Sequence, residues 1–62
     1  MPWNDSHYPP AMHRLAPEVR AKAIDIANTL LEDGLEEGMV IRIAIAQAKI
    51  WAVHRRIPLH EQ

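Results

Sequence analysis

The chain has 62 residues, a formal net charge of −1 at pH 7, 48% hydrophobic residues and no cysteine. This length predicts one small domain over residues 1–62, and the apolar content is that of a folded domain rather than a disordered segment. The missing cysteines exclude disulfides and thiol chemistry, and the near-neutral charge excludes a strong long-range attraction to nucleic acid or to an anionic membrane.

The sequence indicates a protein of a reducing compartment, because a domain this small has no disulfide to stabilise it. The first ten residues, MPWNDSHYPP, are polar and rich in proline, so they lack the basic and apolar regions of a secretion signal. No apolar run is long enough to span a bilayer. We therefore expect a cytoplasmic protein that has no membrane partner.

The first 16 residues form a predicted arm, and residues 10–15 can make a single helical turn within it. The beginning of the arm is expected to be extended or turned, because it contains three prolines: Pro2, Pro9 and Pro10. The arm carries too much apolar surface for a free tail, at Trp3, Tyr8, Met12 and Leu15. We therefore predict that it packs across the rest of the domain, with Trp3 and Tyr8 on the second helix.

The first helix is predicted over about residues 17–33. Pro17 suits the first helical position, Glu18 suits the positive end of the helix dipole, and Gly34 suits a left-handed cap after the last turn. The apolar side of this helix comprises Val19, Ala23, Ile24, Ile26, Ala27, Leu30 and Leu31. The opposite side is predicted to be solvated and comprises Glu18, Asp25, Asn28 and Glu32.

The second helix is predicted over about residues 36–56, and a short tail, residues 57–62, follows it. Pro58 in this tail prevents the helix from continuing. Charges of the sign that the helix dipole favours occupy the first and last turns, at Glu36, Glu37, Arg55 and Arg56. Neither helix has an obvious side-chain N-cap in the sequence.

The second helix is apolar on two sides, whereas a helix with one solvated side needs only one apolar stripe. The first stripe comprises Val40, Ile41, Ala44, Ile45, Ala48, Trp51 and Ala52. We predict that this stripe packs on the first helix, with Trp51 in the core between the two. The second stripe comprises Ile43, Ala46, Ile50 and Val53, and its spacing is that of a short a/d seam.

Residues 40–46, VIRIAIA, also fit a strand, because isoleucines alternate there with other residues. The alanines at positions 44 and 46, and a helical register that continues to Val53, favour the helix. Only a few residues separate the two helices, so they are expected to be antiparallel neighbours. The predicted fold is all-α: an antiparallel two-helix hairpin with the N-terminal arm packed across it.

Two interpretations of the second stripe stay open at this point. In the first, the N-terminal arm folds back over the stripe and completes the core. In the second, Ile43, Ala46, Ile50 and Val53 form a surface for self-association or for a protein partner. The second interpretation predicts a small non-enzymatic interaction or regulatory module, present as a monomer or a weak homodimer.

Weak nucleic-acid binding is the alternative function, because Arg42, Lys49 and Arg56 recur at sevenfold spacing along the second helix. Three cations give only modest affinity for phosphates, and acidic residues offset them elsewhere. One such acidic series has the same spacing on the first helix, at Glu18, Asp25 and Glu32. It could add pairing specificity between two molecules, although exposed ion pairs are each worth only ~0–1 kcal/mol.

The sequence predicts no catalytic residue, metal site or cofactor. Two helices and an arm rarely form a cleft with converging titratable groups. The glycines, Gly34 and Gly38, do not make a phosphate-binding loop. The histidines at 7 and 13, and those at 54 and 60, are six apart, whereas a metal pair on one helix face needs a spacing of four. We therefore expect a protein that is not an enzyme.

The string MPW, then YP, then LAPEVRAKAIDIANTLLEDGLEEG and IAIAQAKIWA resembles the N-terminal segment of YdaT-type bacterial proteins. The resemblance spans roughly residues 1–52 and contains no catalytic motif. It implies a bacterial, cytoplasmic, helical domain associated with general stress and without an established biochemical activity. A fainter similarity in plan is to ChaB-like proteins, which are loosely linked to cation transport regulation. Larger YdaT-type proteins continue into a second domain, and no function of that domain is transferred to this chain.

Overall fold

A computed structural model describes residues 2–60, and it contains two α-helices preceded by one short 3-10 turn. The turn is Pro10–Met12, helix α1 is Pro17–Glu32 and helix α2 is Glu37–His54. The two helices pack against each other as a hairpin, which confirms the predicted all-α fold with its N-terminal arm. Residues 40–46 lie inside α2, so the strand alternative is wrong. The outermost residues of the predicted arm and tail lie outside the described residues.

Five alanines with no exposed surface form the centre of the interface between the helices. They follow one another at intervals of four residues: Ala23 and Ala27 on α1, and Ala44, Ala48 and Ala52 on α2. Residues four apart share one face of a helix, and a row of methyl groups lets two helix backbones come close together. Larger buried side chains surround this alanine interface, namely Met12, Leu15, Val19 and Val40. The first stripe of α2 is therefore the core side of that helix.

The two helices begin differently. Helix α1 has Ala16 at its N-cap, which offers no side-chain hydrogen bond, and Pro17 follows at the first helical position, where a missing N–H breaks no bond within the helix. Helix α2 has Glu36 at its N-cap, and its Oε1 accepts a hydrogen bond of 2.7 Å from the backbone N–H of Gly38. A Cβ at position 38 would lie 2.9 Å from that oxygen, so glycine leaves room for the cap. Glutamate is not among the usual N-cap residues, which is why the sequence did not indicate this one.

Both helices end in the same backbone motif. After α1, the N–H of Gly34 donates to the carbonyl of Leu31 at 3.0 Å, and the N–H of Leu35 donates to Leu30 at 3.4 Å. These are the two bonds of a Schellman cap, which places its central residue in the left-handed region. Gly34 has a φ of 93°, which confirms its predicted role.

After α2, an arginine takes the position that glycine has after α1. The N–H of Arg56 donates to Val53 at 3.1 Å, the N–H of Ile57 donates to Ala52 at 2.9 Å, and Arg56 has a φ of 59°. Arg55 and Arg56 were predicted in the last turn of the helix, and this is wrong because α2 ends at His54. A side chain with a Cβ is strained in the left-handed region.

We expect Arg56→Gly to stabilise the protein by about 0.5–1 kcal/mol. The substitution removes the left-handed strain, and this gain is partly offset by the greater entropy of glycine in the unfolded chain. Urea unfolding followed by circular dichroism measures the change. Arg56→Ala is the control, because it removes the same charge and keeps the Cβ. Equal stability of the two variants would contradict the assigned strain.

The N-terminal arm is anchored on α1 through Asn28. The side-chain Oδ1 of Asn28 accepts a hydrogen bond of 3.2 Å from the N–H of Trp3, and its Nδ2 donates to the carbonyl of Trp3 at 3.0 Å. Asn28 is only 4% exposed, so its predicted place on the solvated side of α1 is wrong. Trp3 itself is 8% exposed and belongs to the core.

A second anchor on α1 is Arg20, which holds the later part of the arm. Its Nη1 donates to the carbonyls of His13 and Leu15 at 3.2 and 3.0 Å, and its guanidinium lies 4.8 Å from the centre of the Tyr8 ring. The sequence predicted Trp3 and Tyr8 on the second helix. The structure corrects this, because the groups that hold these two residues, Asn28 and Arg20, belong to α1.

The segment after α2 turns back towards the arm. The N–H of Ala16 donates to the carbonyl of Leu59 at 2.9 Å, and Leu15 and His60 form an isolated antiparallel bridge. Ile57 and Leu59 are half-buried against the core. The described part of the predicted tail is therefore a packed part of the domain, which the sequence did not indicate.

Candidate partner-binding side of helix α2

The side of α2 that is turned away from α1 carries a continuous row of apolar residues. We call this row the open stripe, and it comprises Met39, Ile43, Ala46, Ile50 and Val53. Met39, Ile50 and Val53 are 44%, 58% and 59% exposed, and these are the exposed large hydrophobic residues of the described chain. Ala46 is also exposed, and Ile43 is half-buried. Water therefore reaches most of the stripe.

The spacing of the open stripe is alternately four and three residues. At about 100° per residue, its five members fall within an arc of about 80°, and at about 1.5 Å per residue they extend over about 21 Å. An alternation of four and three is the heptad pattern by which one helix packs along another. The stripe therefore has the shape of a helix-docking seam.

The described part of the N-terminal arm, residues 2–16, leaves most of this seam exposed. Its anchors, Asn28 and Arg20, are on α1, and the exposure of Ile50 and Val53 shows that nothing in residues 2–60 encloses that end of the stripe. The interpretation in which the arm folds over the second stripe of helix two is therefore wrong. All four residues that the sequence assigned to this stripe lie on one side of α2 in the structure.

Met39 belongs to the stripe, although it was not among the residues predicted for it from the sequence. It lies four residues before Ile43, so it continues the same alternation by one helical turn towards the N-terminus. This spacing was the signal that could have identified it. Methionine is common on surfaces that bind other proteins, because its flexible side chain adapts to different contours.

The two borders of the open stripe differ in charge. Arg42, which is exposed, and Lys49, which is half-buried, lie along one border. The other border carries Gln47 and His54, both exposed. Arg56 was predicted to continue the basic row on the helix, but it lies beyond the end of α2 in the left-handed cap. The helical part of the basic row thus consists of Arg42 and Lys49.

Trp51 lies at the edge of the helix interface rather than in its centre. The indole is half-buried, with Lys22 Nζ of α1 and Arg55 Cζ at 5.5 and 5.2 Å from the ring centre. These distances are those of cation–π contacts. Trp51 was predicted in the core between the helices, and this needs correction. Alanines fill the centre of the helix interface, and Trp51 packs at its edge.

A shallow groove of about 420 Å³ lies between Trp3 and α1, and its polar groups include Asp5, Asp25 and the amide of Asn28. That amide is already bonded to the backbone of Trp3 through both its oxygen and its nitrogen. Residues 2–60 contain no group of three or more potential ligands placed to hold a metal ion. Over the same residues, neither helix has the length and apolar character to cross a bilayer.

A curated protein of Bacillus subtilis (strain 168), named Uncharacterized protein YdaT, is 50% identical to this chain over 52 residues. The match covers 84% of this chain and 35% of the relative, within an N-terminal segment of it. The predicted resemblance to the N-terminal segment of YdaT-type proteins is thereby confirmed. No family model and no solved structure match the chain.

Proposed function

We propose that this chain, which is similar to the N-terminal part of a YdaT-type protein, is a non-enzymatic interaction module that binds a partner helix along the open stripe. The observation that carries the proposal is the exposure of Met39, Ile50 and Val53 in one row. Single exposed apolar residues are ordinary on protein surfaces. An aligned row of them, which is buried only when another molecule binds, is typical of an interface.

The distribution of contacts supports this proposal. The arm, which carries most of the apolar residues outside the helices, is anchored on α1 by Asn28 and Arg20. The segment after α2 also packs back, on Leu15 and Ala16. Within residues 2–60, both flanking segments thus cover the core, and most of one side of α2 stays exposed. An amphipathic helix laid along that side would bury the row in the usual manner of helix recognition.

The proposed setting is the bacterial cytoplasm, and the proposed role is regulatory. The sequence supports a reducing compartment through its lack of cysteine. A stress-related role is part of the proposal through the resemblance to YdaT-type proteins. Nucleic-acid binding through Arg42, Lys49 and Arg56 is less well supported, because only two of these cations lie on the helix and both border an apolar row.

Site-specific photo-crosslinking tests the proposal. The photoreactive residue p-benzoylphenylalanine replaces Ile50 in one variant and Thr29, an exposed residue of α1, in a matched control. We expect a discrete crosslinked product in bacterial cells from position 50 and none from position 29, because only the stripe contacts the partner. Mass spectrometry identifies the product, and the identified partner must then bind the purified chain.

A second substitution separates binding through the stripe from chance labelling. Val53→Glu is expected to abolish the crosslink from position 50 and to leave the melting temperature within about 3 °C, because a side chain this exposed contributes little to the core. The proposal is wrong if position 50 yields no discrete product and the chain also stays a 7.1 kDa monomer by light scattering at high concentration.

A further inference from the structure

The charges around the open stripe indicate what kind of helix it can accept. One border carries Arg42 and Lys49, and the other carries Gln47 and His54. The acidic residues nearest to the stripe, Glu36 and Glu37, lie at the start of α2, and the Glu36 carboxylate is already bonded to Gly38. Among the residues of α2, the border of the stripe is therefore cationic on one side and carries no carboxylate between Met39 and Val53.

A second copy of α2 does not complement these charges. If two copies paired antiparallel, their basic borders would face each other, so Lys49 would lie opposite Lys49 or Arg42 of the other copy. If they paired in parallel, Arg42 and Lys49 would lie opposite Gln47 and His54. Like charges across a helix pair weaken the association, and neither arrangement supplies a carboxylate. The charge pattern therefore disfavours self-association through the stripe.

Helix α1 of a second copy is not a suitable occupant either. Its outer side does carry carboxylates at sevenfold spacing, at Glu18, Asp25 and Glu32. The exposed residues between them are Ala21 and Thr29, which are too small and too polar to fill an apolar seam. A helix that fits the stripe must have both an apolar row and acidic residues beside it.

We propose that the open stripe binds a different protein through an amphipathic helix whose apolar row is bordered by carboxylates on the side of Arg42 and Lys49. This inference rests on the proposed interaction function and adds the chemistry of the partner. The length of the stripe, about 21 Å, corresponds to a partner helix of about four turns. The carboxylates orient this helix and accelerate its encounter at low salt, while the apolar row supplies most of the affinity.

Two synthetic peptides test the inference with the full chain. Both have the same apolar a and d positions over three heptads, and they carry glutamate or lysine at all e and g positions. Each peptide repels itself and stays monomeric, so neither competes with its own dimer. Fluorescence anisotropy of the labelled peptide measures binding at about 50 mM and about 500 mM salt, because exposed charge pairs are screened at the higher concentration.

We expect the glutamate peptide to bind about tenfold more tightly than the lysine peptide at low salt, with a difference below about threefold at high salt. Charge reversal by Arg42→Glu combined with Lys49→Glu should reverse the preference. Ile50→Glu should weaken both peptides, because it places a charge within the apolar row. Arg42 and Ile50 are exposed and Lys49 is half-buried, so none of the three is a core residue and the variants are expected to fold, which circular dichroism checks.

The possible failures lead to different conclusions. If the two peptides bind equally, the inference of an acidic partner helix is wrong, but the proposed binding of a helix along the stripe is retained. If neither peptide binds and the chain forms a dimer that Val53→Glu dissociates, a second copy occupies the stripe and the inference is wrong. If neither binds and the chain is monomeric, the inference and the proposed function both fail. If a short DNA duplex binds more tightly than either peptide and Ile50→Glu does not weaken that binding, nucleic-acid binding replaces both the inference and the proposed function.

Discussion

Asn28→Ala is expected to lower the free energy of unfolding by about 2–3 kcal/mol. The alanine removes both partners of the Trp3 backbone, whose N–H and carbonyl are bonded to Asn28 at 3.2 and 3.0 Å. A buried polar group that loses its hydrogen bond costs about 1–3 kcal/mol, and the released arm also uncovers part of the core. Urea unfolding gives the loss, and a red shift of tryptophan fluorescence reports the release of Trp3.

Two variants show whether the hydrogen bonds themselves cause the loss. Asn28→Asp keeps an acceptor for the N–H of Trp3 but places a carboxylate oxygen against the Trp3 carbonyl, so it should also be destabilised. Thr29→Ala alters the next residue, which is exposed and is bonded to the carbonyl of Asp25, and it should change stability by less than about 0.5 kcal/mol. If Asn28→Ala is no less stable than Thr29→Ala, Asn28 does not anchor the arm.

The role of Asn28 was not predictable from the sequence, whereas the helix that contains it was. Helical periodicity places position 28 beside the acidic residues of α1, and a polar side chain there is usually solvated. Its partners are two backbone atoms of Trp3, 25 residues away, and a side-chain pattern carries no information about such a contact. The same limitation applies to Arg20, whose guanidinium binds carbonyl groups of the arm.

The helix boundaries were largely predictable because the residues that set them act locally. Pro17 begins α1 and Gly34 ends it, and each does so through its own backbone conformation. The end of α2 was missed because Arg56 takes a left-handed conformation that arginine rarely adopts, so its residue type gave no signal. The position of the chain after the helix depends on a bond between Leu59 and Ala16, which is a tertiary contact.

The residues of the open stripe were predictable, but whether they are covered was not. An apolar seam has the same spacing whether an arm of the same chain or another protein lies on it. Only the position of the arm decides between the two, and Asn28 and Arg20 determine that position. The hydrogen bonds that Asn28 and Arg20 make with the described part of the arm therefore hold it on α1 and away from the open stripe of α2.

Ala48→Leu is expected to destabilise the protein by about 2–3 kcal/mol or more. Ala48 has no exposed surface and lies in the middle of the alanine row of α2, opposite a helix that presents alanines at its own contact. Three additional carbon atoms would force the two helices apart, and overpacking of this kind typically costs about 1–3 kcal/mol. A domain of this size has only a few kcal/mol of stability, so a large fraction of the variant should be unfolded.

Ala46→Leu is the matched control, because it makes the same change two residues away on the open stripe. Ala46 is exposed, so the leucine has room, and stability should change by less than about 0.5 kcal/mol. The added side chain should also strengthen binding of a partner helix, because it enlarges the apolar row at its centre. Thermal unfolding of the two variants thus compares the two sides of one helix. If Ala48→Leu were as stable as Ala46→Leu, the alanine row would not be the closely packed side of α2, and the case for an uncovered stripe opposite to it would be lost.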